Sequence, residues 1–151
     1  MSSATLIESL KATSDANERL ALIIQHFGCD SGALHRLHDD DKMLHLEANG
    51  PGMPDFVLEK IRIIPVGKGM AGLCIERNEP VNSCNLQTDT TGNVQEGAKP
   101  TGLQGSIVVP IRSTMTSDAP AIGTLGIATM KERTFTDAEI NELMEYATIL
   151  A

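Results

Sequence analysis

Ile64-Pro65-Val66-Gly67-Lys68-Gly69-Met70-Ala71-Gly72 is the stretch that decides the fold. Ile61 to Pro65 reads as a short strand, and Val66-Gly67-Lys68-Gly69 closes it in a glycine turn. Met70 to Glu76 then reads as a short helix with Met70, Leu73 and Cys74 on one side, stopped by Arg77-Asn78-Glu79-Pro80. Gly67, Gly69 and Gly72 permit a tight strand-to-helix turn and close helix packing. A phosphate cradle is the competing reading of Gly67-Lys68-Gly69, but the full G-x-x-x-x-G-K-[ST] pattern is absent.

Working back from this turn, Phe56, Val57 and Leu58 begin a helical turn after the irregular run Asn49 to Pro54. Residues 31 to 38 and 42 to 48 read as a hairpin joined at Asp39-Asp40-Asp41. Before it, Leu6, Leu10, Leu20, Ile23, Ile24 and Phe27 fall at helical spacing. Asp15 and Glu18 look like an internal capping box, which predicts two helices broken near Thr13 to Asp15, ended by Gly28.

Working forward, Pro80 to Ser83 is a brief extended piece, and residues 84 to 102 form a polar, irregular segment of the kind that serves as a binding lid. Gln104 to Arg112 and Ala121 to Met130 are two strands joined through Ser113 to Pro120, with Pro110 expected at an edge or bulge. Thr136-Asp137-Ala138-Glu139 is a capping box before a helix with Ile140, Leu143, Met144, Ala147 and Leu150 on one face. The expected fold class is α+β, with a central antiparallel sheet of five to six strands and helices at both ends of the chain.

Composition narrows the function. The 151 residues fit one domain, 1–151. A formal charge of −8 and the lack of any basic run argue against nucleic acid as a partner. The absence of an apolar run of about 18 residues and of a signal-peptide pattern leads to the expectation of a cytoplasmic protein with no membrane partner. Cys29, Cys74 and Cys84 form no C-x-x-C pair, so neither a disulfide framework nor structural zinc is expected, and no cofactor is implied.

Four ordered segments resemble GAF domains and span nearly the whole chain. They are the quoted turn followed by Glu79-Pro80-Val81, then Gly105-Ser106-Ile107-Val108-Val109-Pro110-Ile111, then Ile122-Gly123-Thr124-Leu125-Gly126-Ile127, and Phe135-Thr136-Asp137-Ala138-Glu139. The resemblance implies a GAF-like sheet with the N- and C-terminal helices on one face. On the other face it implies a pocket walled by residues 42 to 48, 104 to 112 and 121 to 130 and roofed by 70 to 102. It also implies a small-molecule-sensing, regulatory role in signal transduction, with an unspecified ligand.

The candidate pocket residues are Cys84, Asn85, Thr101, Ser106, Arg112 and Thr124, whose thiol, amide, hydroxyl or guanidinium groups can face a polar ligand. Arg112 also reads as a surface charge at a strand end. The alternative role is homodimerisation through the Leu6–Phe27 and Ile140–Leu150 helices. Filling of the pocket by Met43, Met70 and Leu103 would favour that scaffold role.

Enzymatic and cofactor-bound readings fare worse. The resemblance extends to the free methionine-(R)-sulfoxide reductases, whose chemistry needs an attacking and a resolving thiol. Their cysteines fall here on Ile61, on Ala71 and near Lys99, and their Arg-Ser-Glu becomes Gln104-Gly105-Ser106. No catalytic residue is therefore assigned. Cys84-Asn85 and Cys74-Ile75 lack the histidine that commonly follows the bilin-attaching cysteine, and the cyclic-nucleotide signature is missing. His35 and His45 on neighbouring strands raise a metal or haem reading, but alternation separates His35 from His38, and the histidines are expected not to ligate metal.

Overall fold

The structure, a computed structural model, describes residues 2–83 and 102–151. Two helices open the chain, α1 (Ser3–Ala12) and α2 (Ala16–His26). They part where the capping pattern places the break. Asp15 accepts from the Glu18 amide at 3.0 Å, satisfying a donor that the first turn leaves without an intrahelical partner. Gly28 follows with φ +65°, the left-handed conformation that ends a helix cheaply only at glycine.

The sheet comprises β1 (Ser31–His38), β2 (Met43–Asn49), β3 (Ile63–Pro65), β4 (Val81–Ser83), β5 (Gly105–Ile111) and β6 (Gly123–Thr129). Its order is β3-β2-β1-β6-β5-β4, and every neighbouring pair runs antiparallel. Between strands lie α3 (Asp55–Ile61) and α4 (Gly69–Arg77), and α5 (Asp137–Leu150) closes the chain. No helix among the described residues is long and apolar enough to cross a membrane.

Two elements differ from expectation. The strand anticipated at Ile61 begins only at Ile63, because α3 runs through Ile61. Nothing after Pro54 breaks that helix, and Val57 gives it a buried anchor. Pro110 sits in an interior strand, yet β4 pairs with β5 only as far as Val81 opposite Val108. Its missing amide therefore faces a local edge, as a proline in a sheet requires.

Alternation along the strands sorts the sheet into two faces. Leu34, Ile107, Val109, Ile111, Leu125 and Ile127 enter the main core with Leu6, Leu20, Ile23, Leu143, Tyr146 and Leu150. Helix α2 covers β1 and β2, α5 covers β5, and α1 packs against both helices. Helices α3 and α4 lie with the opposite face, where Cys74, Val81 and Val108 form a second apolar cluster.

One polar network ties the helical layer together. The Tyr146 hydroxyl, buried, donates to Glu142 Oε1 and lies 2.9 Å from Ser3 Oγ, while His26 Nε2 is 2.8 Å from the same carboxylate. Burial and then the Glu142 hydrogen bond push the Tyr146 phenol up to about 12. Burial works against the Glu142 anion, but the bonds from Tyr146 and His26 hold its carboxyl below the usual range. The network thus adds stability that is present above the unfolded carboxylate range and lost as pH falls through the lowered folded value. Tyr146→Phe should lose about 1–2 kcal/mol in urea melts and flatten the acid limb of the stability profile. An unchanged acid limb would mean that the contact carries no net free energy.

Candidate functional site on the roofed face

The face beneath α3 and α4 carries Ala33, His35 and Leu37 from β1, Leu44 and Leu46 from β2, Thr124, Gly126 and Ala128 from β6, and Ser106, Val108 and Pro110 from β5. This assignment follows from Leu34, Leu125, Ile127 and Ile107 pointing the other way into the helical core. Met70 from α4 and Leu103 pack on Ala128, closing the end nearest Ser106. Met43 does not join them. It pairs with His38 and so belongs to the helical side of the sheet.

Of the six candidate residues, Cys84, Asn85 and Thr101 lie outside the described residues. Ser106 is buried and donates to Ile127 O at 3.3 Å. Thr124 pairs with Pro110, four positions along β5 from Ser106, which puts the two hydroxyls about 13 Å apart along the sheet. One small ligand does not span both. Thr124 is 1% exposed, and its Oγ1 is buried without a hydrogen-bond partner.

Arg112 is not a surface charge. It is buried, its Nε donates to Asn78 Oδ1 at 2.9 Å, and its Nη2 donates to the Asn78 carbonyl. Asn78 has φ 53° and ψ 43°, the left-handed C-cap of α4, and its Nδ2 donates to Ala119 O at 2.9 Å. Asparagine tolerates that conformation better than most residues. Arg112 thus ties the end of the roof helix to β5 and to the β5–β6 connection.

His35, which the sequence suggests only as a metal or haem ligand, is a further polar residue of this face. It is buried opposite Thr124 across β1 and β6, and its Nε2 is 2.8 Å from Ile61 O at the end of α3. A carbonyl only accepts, so Nε2 carries the proton and Nδ1 is left as an acceptor. Burial lowers its pKa, partly offset by the Ile61 bond, so the ring is neutral near pH 7. His35 and His45 do not converge. The turn fixes His38 opposite Met43 and Arg36 opposite His45, so His45 stacks on His38 with centroids 3.8 Å apart and bonds Asp41 at 2.6 Å. Among the described residues no group of three or more metal-ligating side chains could hold a metal ion.

The GAF domain family model matches residues 15–151. The chain belongs to the GAF domain family. A search of curated proteins gives no match. Among solved structures, the GAF domain of a Coxiella burnetii phosphoenolpyruvate-protein phosphotransferase is similar, at 19% identity and TM-score 0.77, over 98% of this chain and 87% of that one. The corresponding Acinetobacter domain aligns at 16% identity and TM-score 0.75, over 98% and 87% of the two chains. A free methionine-R-sulfoxide reductase from Neisseria meningitidis, solved with its substrate, aligns at 21% identity and TM-score 0.73, over 95% and 81%. At these identities the likeness is one of fold.

Within this GAF domain the carbonyl of Ile61 receives His35, and Ala71 packs beside the Cys74 cluster, so neither position to which the resemblance assigns a reductase cysteine bears a thiol. Cys74 has no exposure, and burial pushes its thiol up to about 12. Cys29 lies at the end of α2, where burial raises it to about 11 against the opposing pull of Arg133. Neither is a thiolate at neutral pH. Alkylation with iodoacetamide at pH 7.5 should leave Cys74 unmodified until the domain is unfolded and label Cys29 only slowly, as intact mass will read. Fast labelling of Cys74 in the native protein would contradict its burial.

Proposed function

We propose that this GAF domain is a non-catalytic sensory and regulatory module that binds a small molecule on the roofed face of its sheet. The observation that carries the reading is the cross-strand pairing there of two buried polar groups, Thr124 and His35, flanked by the apolar Leu46 and Pro110 on the wall beneath α3 and α4. Ligand sites are typically apolar surfaces with a few placed polar groups. The absence of catalysis is supported by Ile61 and Ala71 at positions to which the resemblance assigns reductase cysteines and by the protonated state of Cys29 and Cys74. A cytoplasmic signalling role fits the family and the acidic composition.

The test is a thermal-shift screen against metabolites. A ligand at a hundred times its Kd adds about 2.7 kcal/mol of stability, which is a shift of several degrees for a domain of this size. A broad screen without a single saturable shift would count against sensing.

A homodimerising scaffold is the second reading. Ile7, Leu22, Ile140, Met144 and Ile149 on α1, α2 and α5 are only partly buried against the core, leaving an apolar skin on the helical layer. Filling of one end of the roofed face by Met70 and Leu103 also favours it. Sedimentation that shows only monomer at micromolar concentration would remove it.

A further inference from the structure

The orphaned hydroxyl of Thr124 sits in the middle of the sheet, on β6 between β1 and β5, and faces the roof. Buried polar groups in folded proteins almost always have partners, and an exception needs a physical reason. Its cross-strand neighbour His35 presents a ring whose Nε2–H is committed to Ile61 O. Side chains directly opposite on antiparallel strands stand about 5 Å apart. The seam therefore carries, side by side, a hydroxyl able to donate or accept and an imidazole nitrogen able only to accept. Leu46 flanks His35 on β2 and Pro110 flanks Thr124 on β5, so the surround is apolar.

We propose that the end of the ligand seated on this seam is an uncharged hydrogen-bonding group of the lactam or amide kind, held by Thr124 and His35, and not a carboxylate or an ammonium. The proposal rests on the sensing reading above. An ion placed against two neutral groups and an apolar wall is desolvated without a counter-charge, which costs far more than a neutral amide with both bonds made. Among the described residues the buried cation of this face is Arg112, whose Nε and Nη2 are bound to Asn78. An N–H beside a C=O matches the seam: the carbonyl takes the Thr124 proton and the N–H serves the imidazole.

The experiment titrates the full chain, observed by amide NMR, with 2-pyridone as the neutral lactam and with benzoate and N-methylpyridinium as charged probes of similar size. The expected result is saturable shifts with 2-pyridone alone at the amides of Ala33 to His35 and Gly123 to Leu125. Thr124→Val should weaken 2-pyridone at least tenfold, and Thr124→Ser should hold it within threefold. Without any probe Thr124→Val should melt about 2–4 °C higher, because the orphan hydroxyl is replaced by a methyl of the same shape. A charged probe binding those amides as tightly, an unchanged 2-pyridone affinity in Thr124→Val, or a Thr124→Val melting point at or below wild type overturns the lactam assignment and leaves sensing standing. If none of the three probes moves those amides, sensing on this face falls with it.

Discussion

Gly123→Ala should cost about 3 kcal/mol or more, the largest loss expected of any single methyl added to this sheet. A Cβ at Gly123 would lie 2.4 Å from the His35 carbonyl oxygen and 3.4 Å from the Arg36 Cα, both backbone atoms that a neighbouring side chain cannot vacate. The same seam is tight further along, where a Cβ at Gly32 would lie 2.5 Å from the Gly126 carbonyl oxygen. Strands β1 and β6 thus approach closely on the helical side, which glycine alone allows. Two controls separate this cause from a general aversion to alanine. Gly126→Ala meets first the Val108 Cγ2 at 3.2 Å, a side-chain atom that can yield, and should cost less. Gly28→Ala meets nothing within 4 Å and should cost only the left-handed backbone, about 1–2 kcal/mol. Urea denaturation gives the ranking, and a Gly123→Ala loss no greater than that of Gly126→Ala would show that the seam relaxes.

Legibility followed distance along the chain. The caps at Asp15 and Thr136 act on amides three residues away, so the words Asp15…Glu18 and Thr136…Glu139 told both where helices begin and which atoms meet. Strand faces were legible too, because alternation needs only the neighbouring residues, and His35 fell with Ala33 and Leu37 as anticipated. What alternation leaves open is register. The four residues between His38 and Met43 decide that His45 meets His38 and not His35. Glu47, skipped where the register shifts between Leu34 and His35, swings to Arg36 at 2.9 Å. Least legible was the role of Arg112. Its partner Asn78 lies 34 positions away and read merely as a helix stop. Thr124 was selected as a polar strand residue, but that it lacks a partner is a property of everything around it, invisible in any local word.

Arg112→Met should destabilise the domain by about 3–6 kcal/mol and loosen α4 selectively. The substitution keeps an apolar stem of similar length and removes the guanidinium with its two hydrogen bonds to Asn78, each charge-assisted and therefore worth about 1.5–3 kcal/mol. A further loss comes from the favourable placement of a cation at the C-terminus of α4, where the carbonyl ends of the peptide dipoles gather. Asn78 keeps its bond to Ala119 but loses the contact that offsets its left-handed backbone. Hydrogen exchange should accordingly quicken in the last turn of α4 more than in β5. Arg112→Lys should recover less than half, since an ammonium cannot present the planar fork that meets the side-chain and main-chain oxygens of one residue together. Full recovery by lysine would mean that charge alone matters. An effect below about 0.5 kcal/mol, the level of ordinary surface changes, would free Arg112 from its role as a strut. Its guanidinium would then be available to a ligand on the roofed face, and that ligand could bear a negative charge. The stability of Arg112→Met and the probe preference at Thr124 are thus two independent measures of the same question, whether the polar chemistry of this face is ionic or neutral.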